Sequence, residues 1–111
     1  MIVVMNRIPV NPEYATAFEE RFADRASLVD RMEGFVSFRL LRPTTAEDPY
    51  IVVTTWETKE HFEAWTQSEG FKEGHSRAGR LPHEAFRGHP KLEIMDVILD
   101  AQRGQILPEN E

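Results

Sequence analysis

The sequence contains no cysteine, no long apolar run and no excess of basic residues. The lack of cysteine excludes disulfide bonds, thiolate metal sites and cysteine nucleophiles. No stretch approaches the roughly 20 apolar residues that a membrane-spanning helix needs. With 13 basic and 19 acidic side chains the formal net charge is −6, which argues against nucleic acid or an anionic membrane surface as a partner. The first residues have the pattern of a strand and not of a basic, apolar leader, so we expect a cytoplasmic protein.

Motifs of several common enzyme classes are also missing. No spacing of histidines and carboxylates predicts a zinc site. Neither a nucleophile elbow nor a Ser-His-Asp order is present, and there is no glycine-rich phosphate loop. His61, His83 and His89 are interpreted as surface residues. The 111 residues are enough for one domain and not for two.

The sequence does contain short β-type segments interleaved with amphipathic helical segments. Alternating or β-branched residues predict strands over 2–8, 35–42, 50–56 and 92–99. A first helix should begin after Asn11, as its cap, and run to about Met32, with Gly34 ending it. A second should begin after Thr58, and a short further helix is predicted over about 68–77. The glycine- and proline-rich residues 79–90 predict a long loop, which in such domains is often functional.

The order of these segments, βαβ followed by βαβ, predicts an α+β domain with the ferredoxin-like split βαβ fold. Its four-stranded antiparallel sheet would carry helices on one face only. The other face would expose a large apolar patch, and pairing two sheets would cover it. We therefore expect a homodimer, a dimeric α+β barrel, with the domain over residues 1–100 and a polar tail over 101–111.

Three residues stand out as candidates for chemistry. Asn6 is a polar residue on the apolar face that Ile2, Val4 and Ile8 form in the first strand. Trp65 lies on the apolar face of the second helix. His75 follows Phe71 by four positions and so shares a helical face with it. Residue patterns alone lead no further than a ferredoxin-like dimer with a pocket beside His75.

Several segments resemble a known family. They are Asn6, residues 20–25 (ERFADR), the run from Gly34 to Pro43 with its LLRP, the strand over 52–57, and the FEAW at 62–65 followed by His75. Over roughly residues 1–100 the chain resembles the IsdG-type heme-degrading monooxygenases, a branch of the antibiotic biosynthesis monooxygenase superfamily. Among them it is most similar to the mycobacterial-type members. The strand ending in Trp56, with Phe62 and Trp65, is common across the superfamily, whereas Asn6, Trp65 and His75 together are more specific.

This resemblance implies a heme oxygenase in which heme is both substrate and cofactor, with dioxygen and an external electron donor. It implies that His75 ligates the heme iron, that Trp65 presses on the porphyrin and helps to buckle it, and that Asn6 is the polar group on the opposite side of the ring. Phe71 is expected to contact the heme. Arg21 and Arg25 match positions near the heme propionates, although both could equally pair with glutamates on the helix surface.

Two other functions use the same pocket. One is a cofactor-independent monooxygenase of polycyclic phenols or quinones, with His75 as a base or hydrogen-bond partner. The other is a non-catalytic dimer that binds heme and does not degrade it. The cofactor-independent monooxygenase should show no heme spectrum with hemin. The non-catalytic dimer should show a heme spectrum that persists under reductant and air, whereas that of a heme oxygenase should decay.

Overall fold

The computed structural model describes residues 1–72, 81–102 and 105–108, without the side chains of 24–27 and 105–108. Its centre is a four-stranded antiparallel sheet in the order β2-β3-β1-β4. The strands are β1 (Ile2–Ile8), β2 (Phe35–Leu41), β3 (Tyr50–Trp56) and β4 (Lys91–Asp96). The first and third have the predicted bounds, and β1 lies between β3 and β4. The predicted ferredoxin-like α+β fold is confirmed.

Helices cover one face of this sheet. A 3-10 turn (Pro12–Tyr14) leads into α1 (Ala15–Val29), and α2 spans Lys59–Thr66. The Thr58 side chain accepts a hydrogen bond from the backbone N–H of His61, as predicted for its cap position. Residues 69–72 are also helical. In the described part of the chain no helix is long and apolar enough to cross a lipid bilayer.

Asn11 does not cap a helix, which corrects the sequence prediction. No side-chain cap bond forms there; the Asn11 side-chain amide instead donates to the backbone carbonyl of Glu84. Backbone bonds between Asn11 and Ala85 and between Arg87 and Pro9 hold the same loop against the end of β1. The loop around Ala85 is therefore fixed to the sheet at this point, and Ala85 itself is fully buried.

Other predicted bounds also differ from the structure, by one residue at the end of β2 and at the start of β4 and by more at two further ends. The first helix ends at Val29, earlier than predicted, and Gly34 follows with φ +79 in the turn before β2. Glu57 donates from its backbone to Gly34 here, and a Cβ at Gly34 would lie 2.2 Å from Cγ of His61, so only glycine fits. The last sheet strand ends at Asp96, before the predicted end.

After β4 the chain forms a separate antiparallel hairpin of β5 (Leu99–Gln102) and β6 (Gln105–Pro108). This hairpin spans the boundary that the sequence predicts between the domain and its polar tail. The division at residue 100 stays a prediction.

The core lies between the helices and the sheet and has two clusters. One surrounds Phe18 and Phe22 of α1, and the other surrounds Trp56, which is fully buried. Burial of such aromatic side chains contributes roughly 2–3 kcal/mol each. The two clusters flank the cavity described below.

An ion pair between Glu19 and Arg42, together with a hydrogen bond from Tyr50, links α1 to the β2–β3 hairpin. Arg42 donates to Glu19 through Nε at 2.7 Å and Nη2 at 2.5 Å, and the Tyr50 hydroxyl donates to the same carboxylate. The hydrogen bonds from Arg42, and then that from Tyr50, lower the pKa of Glu19 to about 2. Burial and the neighbouring Glu19 raise the pKa of Tyr50.

Candidate functional site

A cavity of about 420 Å³ lies between the sheet and the helical layer. This volume is within the usual range for small-molecule sites. Its lining is mostly aliphatic and aromatic: Val4, Asn6, Ile8, Phe22, Val29, Phe38, Val52, Thr54, Phe62, Trp65, Thr66, Phe71, Pro90 and Leu92. Pro90 and Leu92 are exposed, so the cavity opens beside β4.

Asn6 places an amide in this apolar lining. It lies in β1 opposite Val52 of β3 and Leu92 of β4, and all three side chains face the helices. The side-chain oxygen of Asn6 is buried and has no hydrogen-bonding partner among the described residues. An unpaired buried carbonyl costs about 1–3 kcal/mol. Such a group marks a position where a bound molecule can supply the missing partner.

Trp65 and Phe71 form the aromatic wall opposite the sheet. Their rings meet edge to face with centroids 5.5 Å apart, a favourable arrangement. The Ser68 hydroxyl donates to the carbonyl of Trp65 at 2.7 Å and accepts from the N–H of Phe71 at 3.1 Å. A Cβ at Gly70 would lie 3.2 Å from Cζ3 of Trp65. The turn after α2 therefore fixes the indole against the cavity.

Two threonines in the lining were not predicted from the sequence. Thr54 of β3 accepts a hydrogen bond from Nε1 of Trp56 at 3.0 Å. Thr66, at the end of α2, donates to the carbonyl of Glu63 at 2.7 Å. The period of two does place Thr54 on the same strand face as Val52 and Trp56. However, only the register between β1 and β3 shows that this face adjoins Asn6.

The structure brings together three of the predicted site residues: Asn6, Trp65 and Phe71 line one cavity. Arg21 does not line it; its Nη1 donates to the carbonyl of Ala17 at 3.1 Å, and its buried Nε has no partner in the described part of the chain. The side chain of Arg25 and the whole of His75 lie outside the described residues. The roles assigned to all six stay predictions.

The lining holds no titratable side chain in the described part of the chain. There is also no cluster of metal-ligating side chains among those residues. The described wall therefore supplies shape, apolar contact and a few neutral hydrogen bonds, and it provides no acid or base. This combination suits a large, flat, mostly apolar ligand.

The chain belongs to the antibiotic biosynthesis monooxygenase family, whose model matches residues 1–77. Within that family it is similar to heme-degrading enzymes. It is 37% identical over 99 residues to the heme oxygenase (mycobilin-producing) of Mycobacterium tuberculosis, covering 89% of this chain and 90% of that one. It is 36% identical over 88 residues to the heme oxygenase (staphylobilin-producing) of Staphylococcus haemolyticus, covering 77% and 83%.

A solved structure agrees with these sequence matches. The Mycobacterium tuberculosis heme degrader MhuD, with two hemes bound in its active site, superposes with a TM-score of 0.73 at 35% identity. The match covers 92% of this chain and all of that one. The predicted resemblance to heme-degrading monooxygenases, including those of the mycobacterial type, is confirmed.

Proposed function

We propose that this protein is a heme-degrading monooxygenase, which opens the porphyrin of bound heme with dioxygen and an electron donor and releases the iron. The observation that carries the proposal is the buried oxygen of Asn6, which has no hydrogen-bonding partner among the described residues and faces a cavity walled by Trp65 and Phe71. A porphyrin is flat, aromatic and largely apolar, so it matches this wall. The relatives named as heme oxygenases extend over nearly the whole chain.

The two layers of the fold give the two sides of the ring different surroundings. The sheet presents the amide of Asn6 from a central strand, where pairing on both sides fixes its direction. The helical layer presents the edge-to-face pair of Trp65 and Phe71. The indole is rigid, so it can press on a bound ring without yielding. His75 is proposed to ligate the heme iron through a neutral imidazole nitrogen.

Arg21 and Arg25 are proposed to pair with the propionates. The guanidinium of Arg21 has a buried Nε with no hydrogen-bonding partner in the described part of the chain. A carboxylate is the natural partner for such a group, since a planar guanidinium can bind it with two hydrogen bonds. Arg25 follows one helical turn later in α1, so the two could act together.

When bound, heme supplies the iron at which dioxygen is activated. The residues of the chain orient the ring and exclude water from it, because the lining is dominated by aliphatic and aromatic side chains. Asn6 holds a polar ligand atom by one hydrogen bond. Among the described residues the lining holds no group that can act as a base.

A second copy of the chain is proposed to cover the other face of the sheet. Val3, Met5, Val53 and Thr55 lie on that face and are only half-buried in the single chain. Arg7 and Glu93 pair across it, with Nε 2.6 Å from Oε1. Two such faces packed together would form the predicted dimeric barrel and leave each heme cavity on the outer, helical side. Cytoplasm remains the proposed location.

The proposal is tested by hemin titration, followed in the same cuvette by ascorbate in air with catalase present. Formation of a Soret band and its decay to a bilin-like spectrum is the expected result. A band that forms and persists with several reductants would indicate a heme-binding protein without this activity. The absence of a band would overturn the proposal and favour the polycyclic phenols or quinones.

The iron ligand is tested by His75→Ala, with His89→Ala as the matched control because His89 is exposed and does not line the cavity. The first variant should lose the ligand-dependent heme spectrum and the second should keep it. An unchanged spectrum in His75→Ala would remove this histidine as the ligand.

A further inference from the structure

The Thr54 hydroxyl lies beside Asn6 on the floor of the cavity. In the register of β1 and β3, Asn6 faces Val52 and Val4 faces Thr54, so Asn6 and Thr54 are diagonal neighbours. Diagonal neighbours on one sheet face lie about 7–8 Å apart, a spacing that a ligand bound between the two side chains can bridge. Both side chains line the cavity. Thr54 is thus the second polar group on the sheet side of the site.

Trp56 fixes the orientation of this hydroxyl. Its indole Nε1–H donates to Oγ1 of Thr54 at 3.0 Å, and Trp56 is completely buried. A hydroxyl that accepts one hydrogen bond still has its own proton to donate. Among the described residues no acceptor for that proton is present. The proton is therefore available to a molecule in the cavity.

Thr66 shows the contrast within the same cavity. Its hydroxyl donates to the carbonyl of Glu63 at 2.7 Å, so its proton is already bound to the helix backbone. The two threonines have the same side chain and line the same cavity, but within the described part of the chain Thr54 alone has a hydroxyl proton without an acceptor. This difference separates a hydroxyl that can contact a ligand from one that serves the helix end.

We propose that Thr54 donates a hydrogen bond to the polar ligand atom that Asn6 also contacts on the sheet side of a bound heme. Among the described residues the Asn6 oxygen is an acceptor without a donor and the Thr54 hydroxyl is a donor without an acceptor. Together they suit a ligand atom that both donates and accepts a hydrogen bond. They also suit an anion, if the Asn6 amide turns so that its N–H groups donate as well. Trp56 is the positioning residue for Thr54. The inference rests on the proposed function, because it needs heme in the cavity.

Azide binding to the ferric hemin complex tests this hydrogen bond without turnover. A hydrogen bond to a charged group contributes about 1.5–3 kcal/mol, so Thr54→Val should weaken azide binding by about tenfold or more. Thr54→Ser keeps the hydroxyl and should bind azide within about twofold of the unchanged protein. Thr66→Val is the matched control and should leave azide affinity unchanged.

Equal azide affinities for Thr54→Val and the unchanged protein would overturn the inference while leaving heme binding intact. A loss of affinity in Thr66→Val as large as that in Thr54→Val would also overturn it. The valine variant leaves the Trp56 N–H without an acceptor; if it does not fold, Thr54→Val with Trp56→Phe removes both partners and should show the same loss. Failure of the unchanged protein to bind hemin would refute the proposed function and this inference with it.

Discussion

Replacement of Asn6 by leucine should stabilise the ligand-free protein while impairing heme degradation. Leucine has the same branching as asparagine but no polar atoms. The Asn6 oxygen is buried without a partner in the described structure, and such a group costs about 1–3 kcal/mol. Replacing this polar group by an apolar one in an apolar lining should therefore raise the free energy of unfolding by about 1–2 kcal/mol. For a domain of this size, each 1 kcal/mol raises Tm by roughly 4 °C or more.

Thermal unfolding of the ligand-free protein at one fixed protein concentration measures this effect. The concentration must be fixed because association would itself shift Tm. Asn11→Leu is the matched control, since the Asn11 amide has a partner in the Glu84 carbonyl. That variant should lose about 1 kcal/mol. The free energy of unfolding should thus rise in Asn6→Leu and fall in Asn11→Leu, because the described structure gives the Asn6 oxygen no partner and gives the Asn11 amide one.

A Tm for Asn6→Leu equal to or below that of the unchanged protein would refute this reasoning. It would mean that the oxygen already has a partner, such as water in the cavity. The same variant should still bind hemin, yet degrade it far more slowly under ascorbate and air. Normal turnover would remove Asn6 from the reaction. Stability and activity thus test two separate statements about one side chain.

Three further changes probe other parts of the structure. Gly70→Ala should slow heme degradation several-fold and change the heme spectrum, because its Cβ would lie 3.2 Å from the Trp65 ring and displace the indole. The pKa of Glu19 is lowered to about 2. Its ion pair therefore stabilises the fold above about pH 4.5, and this contribution is lost as the pH falls through 2. Glu19→Gln should make acid unfolding less steep between these two pH values. Met5→Asp should convert a dimer to a monomer in light scattering, because it places a charge in the half-buried sheet face.

The changes at Glu19 and Met5 each have a control at an exposed site. Glu20→Gln, beside Glu19 but exposed, should leave acid unfolding as it was. Ala23→Asp, exposed on α1, should leave the dimer intact. An unaltered heme spectrum in Gly70→Ala would show that the Trp65 ring accommodates the added methyl group without a change in its contact with heme. The alanine would then stabilise the helix by about 0.5–1 kcal/mol. A dimer that survives Met5→Asp would place the interface elsewhere.

The strands, and the positions of Asn6 and Trp65 on apolar faces that line the cavity, could be predicted because each depends on a local period. Alternation assigns Asn6 to the apolar face of β1, and helical spacing assigns Trp65 to the apolar face of α2. The Asn11 cap was wrong because a partner 73 residues away, the Glu84 carbonyl, takes the side chain. The C-terminal hairpin was not predicted because its polar composition gives no alternation. Long-range partners decide both cases.

Thr54 illustrates the same limit inside the site. Its strand and its face follow from the sequence, but its place beside Asn6 follows from the pairing of β1 with β3, which one sequence does not specify. The direction of its hydroxyl follows from Trp56, two residues away on the same face. This last contact was open to prediction, since residues two apart on a strand are neighbours on one side of the sheet.

The division of the site between the two layers determines what each change can reveal. Asn6 and Thr54 lie on strands paired on both sides, so a change at either removes a polar group from the cavity and leaves the backbone in place. Trp65 depends on local contacts with Ser68, Gly70 and Phe71, so a change there shifts the ring itself. Variants of the sheet should therefore alter the affinity for small iron ligands, and variants of the turn should alter the heme spectrum. A variant of the turn that changed only azide affinity, with the heme spectrum intact, would contradict this division of roles.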